Sequence, residues 1–167
     1  MKYILALDPS GSFYEGKGTT GWVLMDARKN GKLLKSGTIC AKDYSNMMEY
    51  FRAHISLLEH INYTYGGPRL GYGPYEAYPL RVVIEDYRLY GSKAHSQINS
   101  NLETSQLIGV LKYWCYMHGV IYKMQMASEV KQRWSDSVLK HYNIELPKSR
   151  HAKDALRHAM HYMKFGR

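Results

Sequence analysis

The chain is poor in cysteine. Cys40 and Cys115 are the only two, far apart and without a C-x-x-C spacing. That argues against a disulfide framework and a thiolate zinc site, and leaves two reduced core thiols. No apolar run is long enough to cross a bilayer. The N-terminus has one lysine before a short strand-like run and lacks a secretory-signal pattern, so the expected setting is the cytoplasm. There is no internal repeat and no low-complexity tract. Acidic residues are in the minority, 14 Asp and Glu against 23 Lys and Arg, which gives a net charge of +9 and a pI near 9.4. Such a balance favours a polyanionic partner, nucleic acid first and an anionic membrane second. Plain solubility is the other use of a basic surface.

The 167 residues, 45% hydrophobic and 22% charged, suit one soluble domain, 1–167, with a substantial core. Tyrosine is abundant at 16 residues. Five of these lie between Tyr63 and Tyr78, among Gly66, Gly67, Gly71, Gly73, Pro68 and Pro74, with Pro79 just beyond. This composition predicts a loop of roughly 18 residues, longer than most connections. Its aromatics and Arg69 are either partner contacts or a surface loop.

The organising stretch is Tyr3-Ile4-Leu5-Ala6-Leu7-Asp8-Pro9-Ser10-Gly11. An apolar run ends on a carboxylate and a turn follows at once. This predicts a buried strand, residues 2–8, delivering Asp8 to the rim of a sheet, where open α/β sheets bind ligands. Residues 19–25 and 33–40 read as two further strands joined by a hairpin turn at Asn30-Gly31, making an antiparallel meander. Asp43, Ser45 or Asn46 is positioned to cap a helix. Its stripe of Met47, Phe51, Ile55, Leu58 and Ile61 packs on one side.

Leu80-Arg81-Val82-Val83-Ile84-Glu85 is a second apolar run ending on a carboxylate, and its β-branched content predicts a central strand. An apolar helix follows over 102–118, stopped by Gly119, and then a last strand over 120–126. Ser128 is expected to cap a short helix, with a further helical piece over 137–142. Ser149 is expected to cap the final helix, about 150–163, whose buried stripe is Ala152, Ala155, Leu156, Ala159 and Met160. His151, Asp154, His158 and His161 fall on a separate polar face of it. The expected fold is therefore α/β: a mixed five-stranded sheet, three antiparallel N-terminal strands and then two parallel ones, with helices on both faces.

Asp8 and Glu85 emerge at one edge if their strands are neighbours. His151 and Asp154 lie one turn apart on one helix face and can aim at the same point. Three close carboxylates repel one another unless a cation neutralises them. Such hard oxygen ligands suit Mg²⁺ or Mn²⁺. Two ions roughly 4 Å apart can activate water and stabilise the leaving oxygen of a phosphoryl displacement. Each residue also has an ordinary role: Asp8 as a turn former, Glu85 as a surface partner of Arg81 or Arg88, His151 and Asp154 as a cap and a solvated face. His158 is the runner-up imidazole for the site, read first as a solvated helix residue.

The order of these features resembles the RuvC family of Holliday-junction resolvases, within the RNase H-like nucleases, over nearly the whole chain. The matching residues are Asp8-Pro9-Ser10 with Thr20-Gly21-Trp22, then Val83-Ile84-Glu85, then His151-Ala152-Lys153-Asp154-Ala155. Val130-Lys131-Gln132 resembles the segment before the family's basic DNA-contact region. Asn101 to Gly109 resembles the helix after the Glu strand in bacteriophage members. The resemblance implies an RNase H-like fold and a homodimer. It also implies two Mg²⁺ or Mn²⁺ ions per active site, and paired nicking of four-way and other branched DNA junctions, with no membrane partner. It assigns catalysis and metal binding to Asp8, Glu85, His151 and Asp154. DNA contact falls to Lys131, with Arg133, Arg88, Lys93 and Lys153 around it and Tyr87 or Tyr90 near the junction centre. The helix over 102–118, more apolar than one sheet face requires, is the expected dimer interface. The loop over 11–19 is long for the family. Other readings are an RNase H-like nuclease on RNA or RNA–DNA hybrids, an actin-like nucleotide-binding domain using Gly18 to Gly21, and a non-catalytic DNA-binding module.

Overall fold

A computed structural model describes residues 1–28, 31–66, 79–87 and 102–166. Five strands, β1 (Tyr3–Asp8), β2 (Thr19–Asp26), β3 (Lys32–Cys40), β4 (Leu80–Asp86) and β5 (Tyr122–Met126), form one sheet in the order β3-β2-β1-β4-β5. β1 to β3 make the antiparallel meander, and β1, β4 and β5 run parallel. The helices are α1 (Met47–Tyr65), α2 (Glu103–Met117), α3 (Ala127–Lys131), α4 (Asp136–His141) and α5 (Arg150–Phe165). The expected mixed α/β sheet is therefore the observed one.

Side chains of a strand alternate between faces, and here the alternation sorts two cores. Leu5, Leu7, Leu24, Val82 and Ile84 pack against α1 and α2. Ile4, Ala6, Val23, Met25 and Val83 pack against α5 together with Val130, Trp134 and Leu139. β1 and β4 are covered on both faces, which is why each is a largely apolar run up to its terminal acids. The same parity continues past the apolar runs. Asp8 follows Ile4 and Ala6 to the α5 face, and Glu85 follows Val83.

Several boundaries differ from the sequence expectation. α1 continues to Tyr65, so Tyr63 belongs to the helix and not to the loop. Of the three candidate caps, Asn46 serves: its Oδ1 accepts the Glu49 N–H at 2.9 Å. Ser128 does not cap α3, because that helix begins directly after β5, with Met126 at its cap and Ser128 inside it. α4 begins at Asp136, ahead of the expected 137, and Ser135 caps it. Ser149 precedes α5 as expected, but its side chain makes no capping bond. Cys115 is a buried free thiol, pushed up to about 12 by burial. Residue 30 of the hairpin turn and residues 67–78 lie outside the described residues. Among the described residues no helix is long and apolar enough to cross a membrane.

Candidate active site

β1 and β4 are in parallel register, with Leu7 opposite Ile84. One step further along both strands, Asp8 and Glu85 stand side by side at the carboxyl end of the sheet. On the other side of β1, Asp8 is opposite Gly21 of β2. Because Gly21 has no side chain, the first turn of α5 lies directly on β2 there, and a Cβ at Gly21 would stand 2.0 Å from the His151 carbonyl carbon. His151 Nδ1–H then donates to Asp8 Oδ2 at 2.9 Å.

α5 also supplies Asp154, Arg157 and His158. Asp154 is one turn after His151 and is buried. Lys131, at the end of α3, places its Nζ 3.2 Å from Asp154 Oδ2 and 3.7 Å from Glu85 Oε1. Arg157 donates to Asp154 Oδ1 through Nη1, to Asp136 Oδ1 at 2.5 Å through Nη2, and to the Trp134 carbonyl at 2.9 Å. One turn on, His158 Nε2–H donates to Glu85 Oε2 at 2.9 Å, and its Nδ1 meets the Gln125 side-chain amide at 3.0 Å. Three carboxylates thus converge and are held by two imidazoles, an ammonium and a guanidinium.

The electrostatics follow from this crowding. Burial pushes the Asp8 carboxyl above the usual carboxylate range and Glu85 adds to it, against the lowering by the His151 hydrogen bond. Burial would raise Glu85 too. The His158 hydrogen bond, with attraction to His158 and Lys131, outweighs that and holds it below the usual range. His151 is raised, first by its bond to Asp8 and against the effect of partial burial. Burial would lower Lys131, but Glu85 and Asp154 outweigh it and hold the ammonium's pKa above its ordinary value. Such opposed shifts in neighbouring groups are a mark of functional sites.

The donor chemistry of Asp8, Glu85, Asp154 and His151 fits a hard divalent ion. Among the described residues, no three His, Cys, Asp or Glu side chains are arranged to hold a metal ion as they stand. Lys131 supplies compensating positive charge to Glu85 and Asp154, and His151 holds Asp8 by a hydrogen bond. An ion would take carboxylate oxygens that these two side chains now occupy.

The structure brings together Asp8, Glu85, His151 and Asp154 as the sequence predicted. Lys131, expected on the DNA-contact surface, reaches into the same cup. Lys153 pairs with Asp136 at 3.8 Å, and Arg133 lies over the Phe165 ring at 4.6 Å. Tyr87 packs at the margin of the α1/α2 core. Arg88, Tyr90 and Lys93 lie outside the described residues. His158 corrects the sequence reading: it is fully buried and bonded to Glu85, not solvated. Its spacing, four after Asp154 and seven after His151, was the available signal. Arg157 and Gln125 were missed altogether.

With a five-stranded mixed sheet in the order 3-2-1-4-5 and acids at the ends of its first and fourth strands, the class is the RNase H-like fold. The particular likeness is to RuvC. The chain superposes on "T. thermophilus RuvC in complex with Holliday junction substrate" with a TM-score of 0.69 at 17% identity, over 98% of this chain and 94% of that one. It superposes on "Thermus thermophilus RuvC structure" with a TM-score of 0.66 at 16% identity, over 98% and 96%. The Fowlpox virus resolvase, solved with substrate Holliday junction DNA, gives 0.50 at 11% identity, over 96% and 98%. No family model and no curated protein matches the sequence. At these identities the likeness establishes the fold.

Proposed function

We propose that this protein is a metal-dependent, structure-selective endodeoxyribonuclease of the RuvC type, the kind bacteriophages also carry, that resolves four-way and other branched DNA junctions by paired nicking. The observation that carries the reading is the convergence of Asp8, Glu85 and Asp154 on one sheet edge, inside a chain of net charge +9. A basic protein draws in the phosphodiester backbone, and the acidic cup would hold the cations that make its cleavage possible. The RuvC and poxvirus structures that share the fold were solved with Holliday junctions, which supports branched DNA as the substrate.

Asp8, Glu85 and Asp154 would hold two Mg²⁺ or Mn²⁺ ions, with His151 as a further ligand or as the group that takes a proton from the attacking water. When bound, such ions supply an acidified water and neutralise charge on the leaving oxygen. His158 and Gln125 orient Glu85, and Arg157 orients Asp154, so that these oxygens are fixed before substrate arrives. The products are a 5′-phosphate and a 3′-hydroxyl.

Paired nicking needs two sites, and α2 offers the surface for a homodimer. Tyr113, Tyr116 and Met117 are 64%, 78% and 58% exposed, and among the described residues nothing stands within 4 Å of where a Cβ at Gly109 would be. An aromatic, partly apolar strip along one helix suits a second copy of itself.

The test is cleavage of a synthetic four-way junction with Mg²⁺, beside a linear duplex and an RNA–DNA hybrid of equal length. Paired nicks in the junction are expected. Preference for the hybrid would transfer the site to an RNase H activity, and no cleavage of any of the three would refute the nuclease reading.

A further inference from the structure

On the opposite face of the sheet from the acids, beneath the turn that follows Asp8, lies a second polar cluster. His54 and Tyr50 of α1 and Thr20 of β2 are all fully buried. His54 Nδ1 is 2.8 Å from the Tyr50 carbonyl oxygen, and its Nε2 is 2.7 Å from Thr20 Oγ1. A carbonyl only accepts, so Nδ1 carries the proton. Burial holds this imidazole neutral, down at about 4, so Nε2 is an acceptor and Thr20 donates to it. The Thr20 oxygen in turn accepts the Ser10 N–H at 3.1 Å. The Tyr50 hydroxyl donates to the Ser10 carbonyl at 2.5 Å. Every proton in the chain is thereby assigned.

Both main-chain polar groups of Ser10 end in this cluster, and Ser10 is two residues past Asp8. The next amide, Gly11 N–H, donates to Thr104 Oγ1 at 3.0 Å. Asp8 is thus gripped from two sides, its carboxylate by His151 from the α5 face and its following turn from the α1 face. Core packing alone does not explain a histidine here. An apolar residue would fill the space without the cost of burying an imidazole, but it would leave Thr20 without the acceptor that orients its hydroxyl.

We infer that His54, Thr20 and Tyr50 form a positioning device for Asp8, a single hydrogen-bond chain that fixes the Ser10 peptide units and so sets where the Asp8 carboxylate stands. The inference rests on Asp8 belonging to the cleavage site. None of the three residues touches the reacting atoms.

The deciding comparison is Thr20→Val, which keeps the shape and removes the hydroxyl, against Thr20→Ser, which keeps the hydroxyl. With the four-way junction and Mg²⁺, Thr20→Val is expected to lower kcat by about 10- to 100-fold, the effect of a misplacement of about 1 Å, at unchanged KM. Thr20→Ser restores it. Amide hydrogen exchange at Ser10 accelerates in the valine variant only. Wild-type kcat in folded Thr20→Val overturns the inference, as does a loss that Thr20→Ser fails to rescue. If Thr20→Val does not fold, Tyr50→Phe carries the kcat readout, and its exchange readout is the Gly11 amide, whose peptide carbonyl Tyr50 holds; the His54–Thr20 bond stays in place. Should the wild-type protein cleave no junction, the function falls first. Amide exchange then decides the device by itself, and unchanged exchange at Ser10 in Thr20→Val, or at Gly11 in Tyr50→Phe, overturns it.

Discussion

The main chain of His151 occupies the space that a side chain at Gly21 would need, 2.0 Å from where its Cβ would stand. Gly21 is paired with Asp8 across the β1/β2 ladder, so this close approach places the imidazole beside the carboxylate. Gly21→Ala must push the first turn of α5 outward, because the obstacle is backbone and cannot rotate away. The expected cost is about 1–3 kcal/mol of stability, as for overpacking elsewhere. Cleavage should fall much further than stability does. Denaturant melts and junction cleavage, measured on the same preparation, check both. Wild-type activity in the alanine variant would show that the helix position does not matter to the site.

Asp8→Asn keeps the size of the side chain and removes its charge. Changing an outer-shell residue of a metal site typically costs about 10- to 100-fold, so loss of a direct carboxylate is expected to exceed that and abolish detectable nicking. Junction binding should persist or tighten, because one anion facing the phosphates is gone. Gel-shift titration beside the cleavage assay separates the two effects. Unchanged cleavage would end the nuclease reading.

The parts of this site that were legible in the sequence are those where burial leaves a simple mark. β1 and β4 are covered on both faces, so each reads as an apolar run, and its terminal carboxylate stands out. His151 and Asp154 share a helix face by spacing alone. His158 shares it too, but spacing cannot distinguish a polar side chain facing water from one facing Glu85. Lys131 lies on a helix of five residues, too short for periodicity to show which way it points. Tyr50 and His54 do not enter the α1 stripe because it is read from side chains without polar atoms, Met47, Phe51, Ile55, Leu58 and Ile61. Their meaning depends on Thr20, which only the fold brings within 2.7 Å of His54.

The buried His54 also predicts a pH dependence of stability. Burial, offset only in part by the Tyr50 carbonyl, holds its imidazole down at about 4 in the folded chain, against about 6.5 in the unfolded one. Between those values the unfolded chain binds the proton and the folded chain does not. The contribution of His54 is therefore complete above about pH 6.5 and is lost as pH falls toward 4. It amounts to something on the order of 3 kcal/mol. His151 acts in the opposite sense: its raised value contributes stability at low pH that is lost as pH rises through that value. An NMR titration that follows each imidazole separately, beside denaturation at several pH values, resolves the two. A His54 midpoint near 6.5 would contradict the prediction.

The exposed strip on α2 predicts an oligomer that can be dissolved without unfolding the protein. Tyr113 and Tyr116 are exposed, so Tyr113→Asp with Tyr116→Asp removes little from the core and should leave the unfolding free energy of the subunit within about 0.5 kcal/mol of the parent, after correction for dimer dissociation. Sedimentation at micromolar concentration should show a dimer for the wild type and a monomer for the variant. The variant should nick one strand of a junction without pairing the cuts. A monomeric wild type would refute the interface.

If the proposed metal site is right, Lys131 and a divalent ion would compete for the same carboxylates, and this competition can be measured without any DNA. The ammonium lies 3.2 Å from Asp154 and 3.7 Å from Glu85, and it is partly exposed to water. Lys131→Met removes the cation and leaves the anions facing one another. In the presence of a chelator the variant should be less stable, by on the order of 1 kcal/mol, since solvent screens part of the repulsion. Mg²⁺ supplies positive charge to the same oxygens and should therefore raise the melting temperature of the methionine variant more than that of the wild type. Mg²⁺ titrations followed by thermal melts of both proteins give the two increments. Equal increments would mean that the ammonium and the ion occupy different places, and that Lys131 contributes to the site only through the DNA.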